Sequence, residues 1–263
     1  MAQIEGHTGA GAGATAGIAE LTASYDAGVG PLGRIGFVAL ANGYTAEHEV
    51  GRMLPEGFVL YITRVWSDNS VTLDNLRRIE SDLTRAVGMI LPQDELDVMV
   101  YSCTSGTVAI GEEAVARCIH AARPGIPVTN PITAALAAFE ALKVGRIALL
   151  TPYVFEVTSA MRDYFTGRGL EVSKTANFNI ELNSDIQRVS PASIREAACA
   201  LDLDGADALF VSCTALRTAE VIEEIEDAIG KPVVTSNQAL AWHALRLAGH
   251  DKAIPSLGRL FRL

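Results

Sequence analysis

The chain has 263 residues, of which 49% are hydrophobic and 20% charged, with 21 basic against 31 acidic side chains and a formal net charge of −10. At about 150 residues per domain this is one large domain or two small ones, and the balance of apolar and charged residues excludes a disordered chain. The acidic excess removes the electrostatic footprint of nucleic-acid or anionic-membrane binding, and no apolar run approaches the roughly 18 residues that span a bilayer.

Residues 1–30 lack the basic start and long apolar core of a signal peptide, so a flexible tail and a cytoplasmic protein are expected. The stretch Gly9–Ala14 alternates glycine and alanine, but no strand precedes it and its spacing does not fit a dinucleotide fingerprint. From Gly33 onward short β-type runs alternate with helical patterns. The expected strands are Arg34–Ala41, Phe58–Arg64, Asp97–Ser102, Ile126–Thr129, Arg146–Thr151, Leu170–Lys174, Ala208–Ser212 and Pro232–Thr235. Several are near-continuous apolar runs, as parallel strands covered on both faces require. Leu73, Leu76, Ile79, Leu83, Val87 and Ile90 recur at three- and four-residue steps, the spacing of one amphipathic helix. Strand-then-helix alternation predicts parallel sheets with right-handed crossovers.

The chain also repeats itself. Gly33-Arg34-Ile35-Gly36-Phe37-Val38 returns as Gly145-Arg146-Ile147-Ala148-Leu149-Leu150, a shift of 112 residues (33 to 145). Tyr101-Ser102-Cys103-Thr104 returns as Val211-Ser212-Cys213-Thr214, a shift of 110 (103 to 213). Pro127-Val128-Thr129-Asn130 and Pro232-Val233-Val234-Thr235-Ser236-Asn237 form a looser third pair. Three matches in one order at nearly one shift predict an α/β fold of two similar flavodoxin-like lobes. Each lobe holds a four-stranded parallel sheet, and a pseudo-twofold axis relates the two.

Four cysteines lie at 103, 118, 199 and 213 without a CxxC or a close histidine, which points neither to zinc nor to a disulfide framework. Reduced thiols fit a cytosolic home. Cys103 and Cys213 each follow an apolar strand and precede an expected helix, Thr107–Ala122 and Leu216–Ile229. Ligands of open α/β sheets bind beyond the carboxyl ends of strands. A helix N-terminus there favours anions and lowers a thiol pKa. Thr104, Ser105 and Gly106, with Thr214 and Ala215, are small enough for their amides to approach a carboxylate. The twofold relation places the two thiols on opposite sides of one cleft, poised to move a proton on either face of a planar intermediate. Cys118 and Cys199 fall inside helical patterns and read as core. His7, His48, His120, His243 and His250 have no placed partner for a Cys-His dyad.

These motifs resemble the aspartate/glutamate racemase superfamily, in the branch of maleate cis-trans isomerase, arylmalonate decarboxylase and the ectoine-utilisation protein. The resemblance runs from Gly33 to the C-terminus and is carried by Tyr101–Thr107, Val211–Thr218 and Leu149-Leu150-Thr151-Pro152-Tyr153. It implies an active site between two lobes, with no metal and no organic cofactor. It also implies that the chain from about Ser236 crosses back to the first lobe. The expected division is therefore a tail over 1–30, a first lobe of 31–130 completed by 236–263, and a second lobe over 131–235. Asn42 looks like the family's substrate-carboxylate asparagine, within a local sequence one residue longer than the family's. Tyr153 matches its Thr-Pro-Tyr tyrosine, and Asn183 resembles an asparagine of the second lobe.

The resemblance implies a cofactor-independent two-cysteine isomerase of a small carboxylate or dicarboxylate. Maleate-like cis-trans isomerisation through a covalent cysteine adduct leads, and racemisation or epimerisation of an amino or hydroxy acid follows. Cys103 is the expected nucleophile or first base and Cys213 the opposing acid. Asn42, Thr104, Ser105, Tyr153, Asn183, Thr214 and Ala215 are the expected carboxylate ligands. Arylmalonate decarboxylases carry glycine at the first cysteine position, so Cys103 argues against that reaction. A carboxylate-binding protein is the non-enzymatic alternative, and it gives the paired thiols no task. A homo-oligomer is in keeping with the family.

Overall fold

The computed structural model describes residues 21–263. Most of the expected tail, and Gly9–Ala14 with it, lies outside the described residues; residues 21–32 form no strand or helix. The first half runs β1 (Gly33–Leu40), α1 (Ala46–Met53), β2 (Phe58–Val65), α2 (Leu73–Arg78), α3 (Glu80–Gly88), β3 (Val98–Tyr101), α4 (Thr104–Ile110), α5 (Glu112–Ala122) and β4 (Val128–Thr129). It passes through α6 (Pro131–Leu142) into β5 (Arg146–Tyr153), α7 (Phe155–Gly167), β6 (Glu171–Ile180), α8 (Asn183–Ile186) and α9 (Pro191–Ala200). The chain closes with β7 (Ala208–Val211), α10 (Ile222–Ile229), β8 (Val233–Thr235) and α11 (Ser236–Leu247).

Two four-stranded, all-parallel sheets result, ordered β2-β1-β3-β4 and β6-β5-β7-β8. The sequence repeat survives as register. Ile35 to Val38 pair with Val98 to Tyr101, and Ile147 to Leu150 pair with Ala208 to Val211. Every residue of β3 and β7 is buried, which explains why these strands are short apolar runs with no polar alternation. Edge strand β6 is half-exposed along its length. Its polar second half, beyond Lys174, therefore carries no strand signal in the sequence, and it extends to Ile180.

Caps fix where helices begin. The Asn130 side chain accepts hydrogen bonds from the amides of Ile132 and Thr133 ahead of Pro131, as expected of an N-cap followed by proline. Thr235 and Gln238 form a reciprocal capping box at α11. From there α11 packs on α6, α1 and strands β3 and β4. Three expected helices differ. The pattern over 73–90 divides into α2 and α3 around Ile79. The helix over 107–122 breaks at Gly111, whose φ of +96° suits glycine, and its first part begins three residues early. The helix expected from Leu216 starts only at Ile222. Cys118 is half-buried on α5 and packs against the core, whereas Cys199 is exposed on α9, and the core reading of Cys199 is corrected. His243 is accounted for structurally, its Nδ1 lying 2.8 Å from the Thr129 hydroxyl.

No helix among the described residues is long and apolar enough to cross a membrane. Behind the second sheet, Phe139, Phe165 and Phe210 meet edge to face with centroids 5.3 to 6.0 Å apart. All three are fully buried, and such pairs contribute beyond their area. Phe210→Ala should cost about 3–5 kcal/mol, measured by chemical denaturation; a loss below about 1 kcal/mol would show that the trio is not a packing centre.

Candidate active site

β3 delivers Cys103 to the N-cap of α4, where its sulfur accepts the Gly106 amide at 3.2 Å. The Ser105 hydroxyl lies 3.9 Å from the same sulfur. Gly106 leaves no room for a side chain: a Cβ there would sit 2.4 Å from the Tyr101 hydroxyl and 2.8 Å from the Cys103 sulfur. β7 delivers Cys213 into a turn, and this is where the two halves part. Cys213 has φ of +109°, a conformation costly for any residue but glycine. Its sulfur accepts the Ala215 amide at 3.3 Å. With α10 starting at Ile222, turn amides rather than a helix end face this second sulfur, which corrects the symmetric expectation. Concave turns of this kind also favour anions.

The strained conformation is held from α11. The Cys213 amide donates to Ser236 Oγ at 3.0 Å, and the Thr104 hydroxyl donates to the same oxygen at 2.8 Å. Ser236 thereby joins the two cysteine loops. Asn237 Nδ2 donates to the Thr214 carbonyl at 3.1 Å and to Glu49 Oε2 at 2.7 Å. Glu49 Oε1 in turn accepts the Ala219 amide at 3.0 Å, and burial raises the Glu49 pKa against the pull of these donors.

Cys103 and Cys213 are both buried and line one cavity. Thr104, Ser105, Tyr153, Asn183, Thr214 and Ala215 line it with them. Asn42 does not: its Oδ1 accepts from Ser67 at 2.8 Å and Asn183 at 3.2 Å, and its Nδ2 donates to the Asp68 carbonyl at 3.0 Å. It ties the rim together beside the cavity, and Asn183, though on the wall, spends its amide on Asn42. The loops after β2 and β6 close this rim: Val71 N donates to Glu181 O at 3.0 Å and Asn183 N to Asn69 O at 2.8 Å.

Electrostatics at the sulfurs run opposite to the expectation of lowered thiol pKa values. Burial raises Cys103, more than the Gly106 amide and the nearby Ser105 and Tyr101 hydroxyls lower it. Burial pushes Cys213 up to about 12 despite the Tyr153 hydroxyl and Ala215 amide, and charge on Cys103 adds to the rise. Desolvation of a small anion outweighs a few dipoles. Tyr101 and Tyr153 are themselves raised well above the usual tyrosine range, first by burial and then by the neighbouring sulfurs; Tyr153 feels both. The arrangement therefore has two neutral thiols, each beside a phenol, in a cavity that resists a second negative charge.

Sequence reasoning missed Tyr101, Ser236, Asn237 and Thr45. Tyr101, Ser236 and Asn237 lie inside the repeated segments, which were the available signal. Thr45, a buried cavity-lining residue, had none. No group of three His, Cys, Asp or Glu side chains among the described residues is disposed to hold a metal ion.

Known proteins bear on this geometry. The profile of the arylmalonate decarboxylase family matches residues 108–261. Arylmalonate decarboxylase of Bordetella bronchiseptica is 36% identical over 218 residues, 81% of this chain and 82% of that protein. Maleate isomerase of Pseudomonas putida is 27% identical over 244 residues, 87% of this chain and 97% of its own. A solved maleate cis-trans isomerase from Nocardia farcinica, a cysteine-to-serine variant with a covalently bound succinylcysteine intermediate, superposes with a TM-score of 0.80. It is 25% identical and covers 87% of this chain and 98% of its own.

Filling the space beside the sulfur tests the site directly. Gly106→Ala should lower any cysteine-dependent turnover at least about a hundredfold, a barrier increase near 2.7 kcal/mol, in a protein that stays folded by circular dichroism while losing about 1–3 kcal/mol of stability to the overpacking. Activity within about threefold of the parent would show that the Cys103 geometry is not used.

Proposed function

This chain belongs to the arylmalonate decarboxylase family, and on that premise we propose that it is a cofactor-independent two-cysteine isomerase of a small carboxylate. Its proposed reaction is cis-trans isomerisation of a maleate-like alkenoate through a covalent cysteine adduct. The observation that carries this reading is the pairing of Cys103 and Cys213 on one cavity, each sulfur under a backbone amide. The maleate isomerases among the relatives and the succinylcysteine intermediate of one of them support it.

Cys103 is the nucleophile in this scheme. Its sulfur forms a bond to one alkene carbon as the π pair moves onto the neighbouring carbon and its carboxylate. Cys213 gives its proton to that carbon, and the Cys103 proton replaces it, so the dry cavity carries no extra charge in the adduct. Rotation about the new single bond, removal of the added proton and cleavage of the carbon–sulfur bond release the trans alkene and restore both thiols. Thr104 and Ser105 stand in the first turn of α4, where the helix leaves amides without acceptors. With Thr214, Ala215 and the Tyr153 hydroxyl they are the proposed carboxylate ligands, stabilising charge as it develops.

Racemisation α to a carboxylate is the second reading, favoured by the same two-sided thiol placement, since one sulfur removes the proton and the other returns one. Maleate in D2O separates the two. Fumarate formation lost at least about a thousandfold in both Cys103→Ala and Cys213→Ala is the expected result. Deuterium entering an amino or hydroxy acid with no fumarate from maleate would replace isomerisation by racemisation, and turnover persisting in either alanine variant would refute the two-thiol scheme.

A further inference from the structure

The amides on the two sulfurs are held in place by different means. The Gly106 amide on Cys103 belongs to the first turn of α4, and the helix fixes its direction. The Ala215 amide on Cys213 belongs to a turn that begins with a φ of +109°, so contacts from outside the turn have to orient it. The Ala215 N–H and the Thr214 carbonyl are two ends of one planar peptide and point in opposite directions. One end lies 3.3 Å from the Cys213 sulfur, and the other accepts Asn237 Nδ2 at 3.1 Å. Asn237 Nδ2 carries a second hydrogen, which it donates to Glu49 Oε2 at 2.7 Å. A chain of contacts therefore runs from the Glu49 carboxylate through the Asn237 amide and one peptide to the sulfur.

Glu49 is built into this chain as an acceptor. The Ala219 amide and the Thr218 hydroxyl also donate to it, at 3.0 and 3.3 Å, and no charged side chain among the described residues is one of its partners. A buried carboxylate without a cation is costly, and the start of a packed helix does not call for the amide it holds. At the same step after its cap, α6 carries the buried, apolar Ile132 where α11 carries Asn237. What the carboxylate does is choose the direction of the Asn237 amide. Turned over, that amide would set Oδ1, which has no hydrogen-bond partner among the described residues, against the Glu49 and Thr214 oxygens. Acceptors would then face one another in a buried space. We infer that Glu49 is a positioning residue for the reaction at Cys213: it holds Asn237 so that the Thr214–Ala215 peptide keeps its N–H on the sulfur. The inference deepens the isomerase reading and rests on it only for the rates.

Two variants test it on the whole protein. Glu49→Gln keeps the size of the side chain and supplies an amide that can donate to Asn237 Oδ1, and Asn237→Ala removes the middle of the chain. Crystal structures of both should show the Thr214–Ala215 peptide turned, with Ala215 N beyond about 4 Å from the Cys213 sulfur. With maleate, each should lower kcat about ten- to a hundredfold and leave KM within about threefold. The double variant should lie within about threefold of the slower single, because both act through one peptide. A peptide that stays in place in either single variant overturns the inference, as does a kcat within about threefold of the parent. Losses that multiply in the double variant, or that fall on KM instead of kcat, overturn it too. The structural readout needs no turnover: if the parent makes no fumarate, the isomerase reading fails and the peptide still decides for Glu49. If one single variant does not fold, the other decides by the same two readouts.

Discussion

Two buried sulfur atoms share one cavity, and that constraint governs the rest of the site. A thiolate there loses solvation that one amide and one phenol per sulfur do not replace, so burial holds both thiols neutral. A second negative charge is resisted further, because charge on Cys103 raises Cys213. Chemistry in such a space proceeds by moving protons between groups already present. Two opposed thiols, one giving a proton as the other supplies electrons, meet that condition without a cofactor.

Holding the sulfurs in place falls to α11. Ser236 receives the Cys213 amide and the Thr104 hydroxyl, and Asn237 carries the loop after Cys213 onto Glu49 in α1. The strained φ of Cys213 is stabilised by these contacts from outside its own loop, as unfavourable backbone at a functional site requires. The first half has no equivalent need. Cys103 sits in ordinary extended backbone at a helix N-cap, and Asn130, which by strand register corresponds to Thr235, caps α6 as Thr235 caps α11. The duplicated fold thus places two like residues on one cavity, and the local structures that support them have diverged.

Much of this was legible in the residues. All eight strands follow from apolar runs, and the repeat at 110 to 112 residues carries through to strand register. What the sequence concealed has physical causes. A helical period reads straight through Gly111, because periodicity does not register a single positive φ. The half-exposed strand β6 hides its polar end. Asn42 has the right residue type near the right strand, yet its amide is consumed by Ser67, Asn183 and Asp68. The thiol pKa direction was the largest reversal. A helix N-terminus is visible in sequence and favours thiolate, whereas the desolvation that overrides it depends on the closed cavity, which only the assembled halves create.

The charge state of the paired thiols is the most direct test. Ultraviolet titration of thiolate absorbance, comparing the ligand-free protein with its Cys103→Ala/Cys213→Ala double variant, isolates the pair from Cys118 and Cys199. The account predicts no thiolate from the pair at neutral pH, with Cys103 ionising above the ordinary cysteine range and Cys213 pushed up to about 12. Two thiolates appearing together near the ordinary cysteine value of about 8.5 would contradict it.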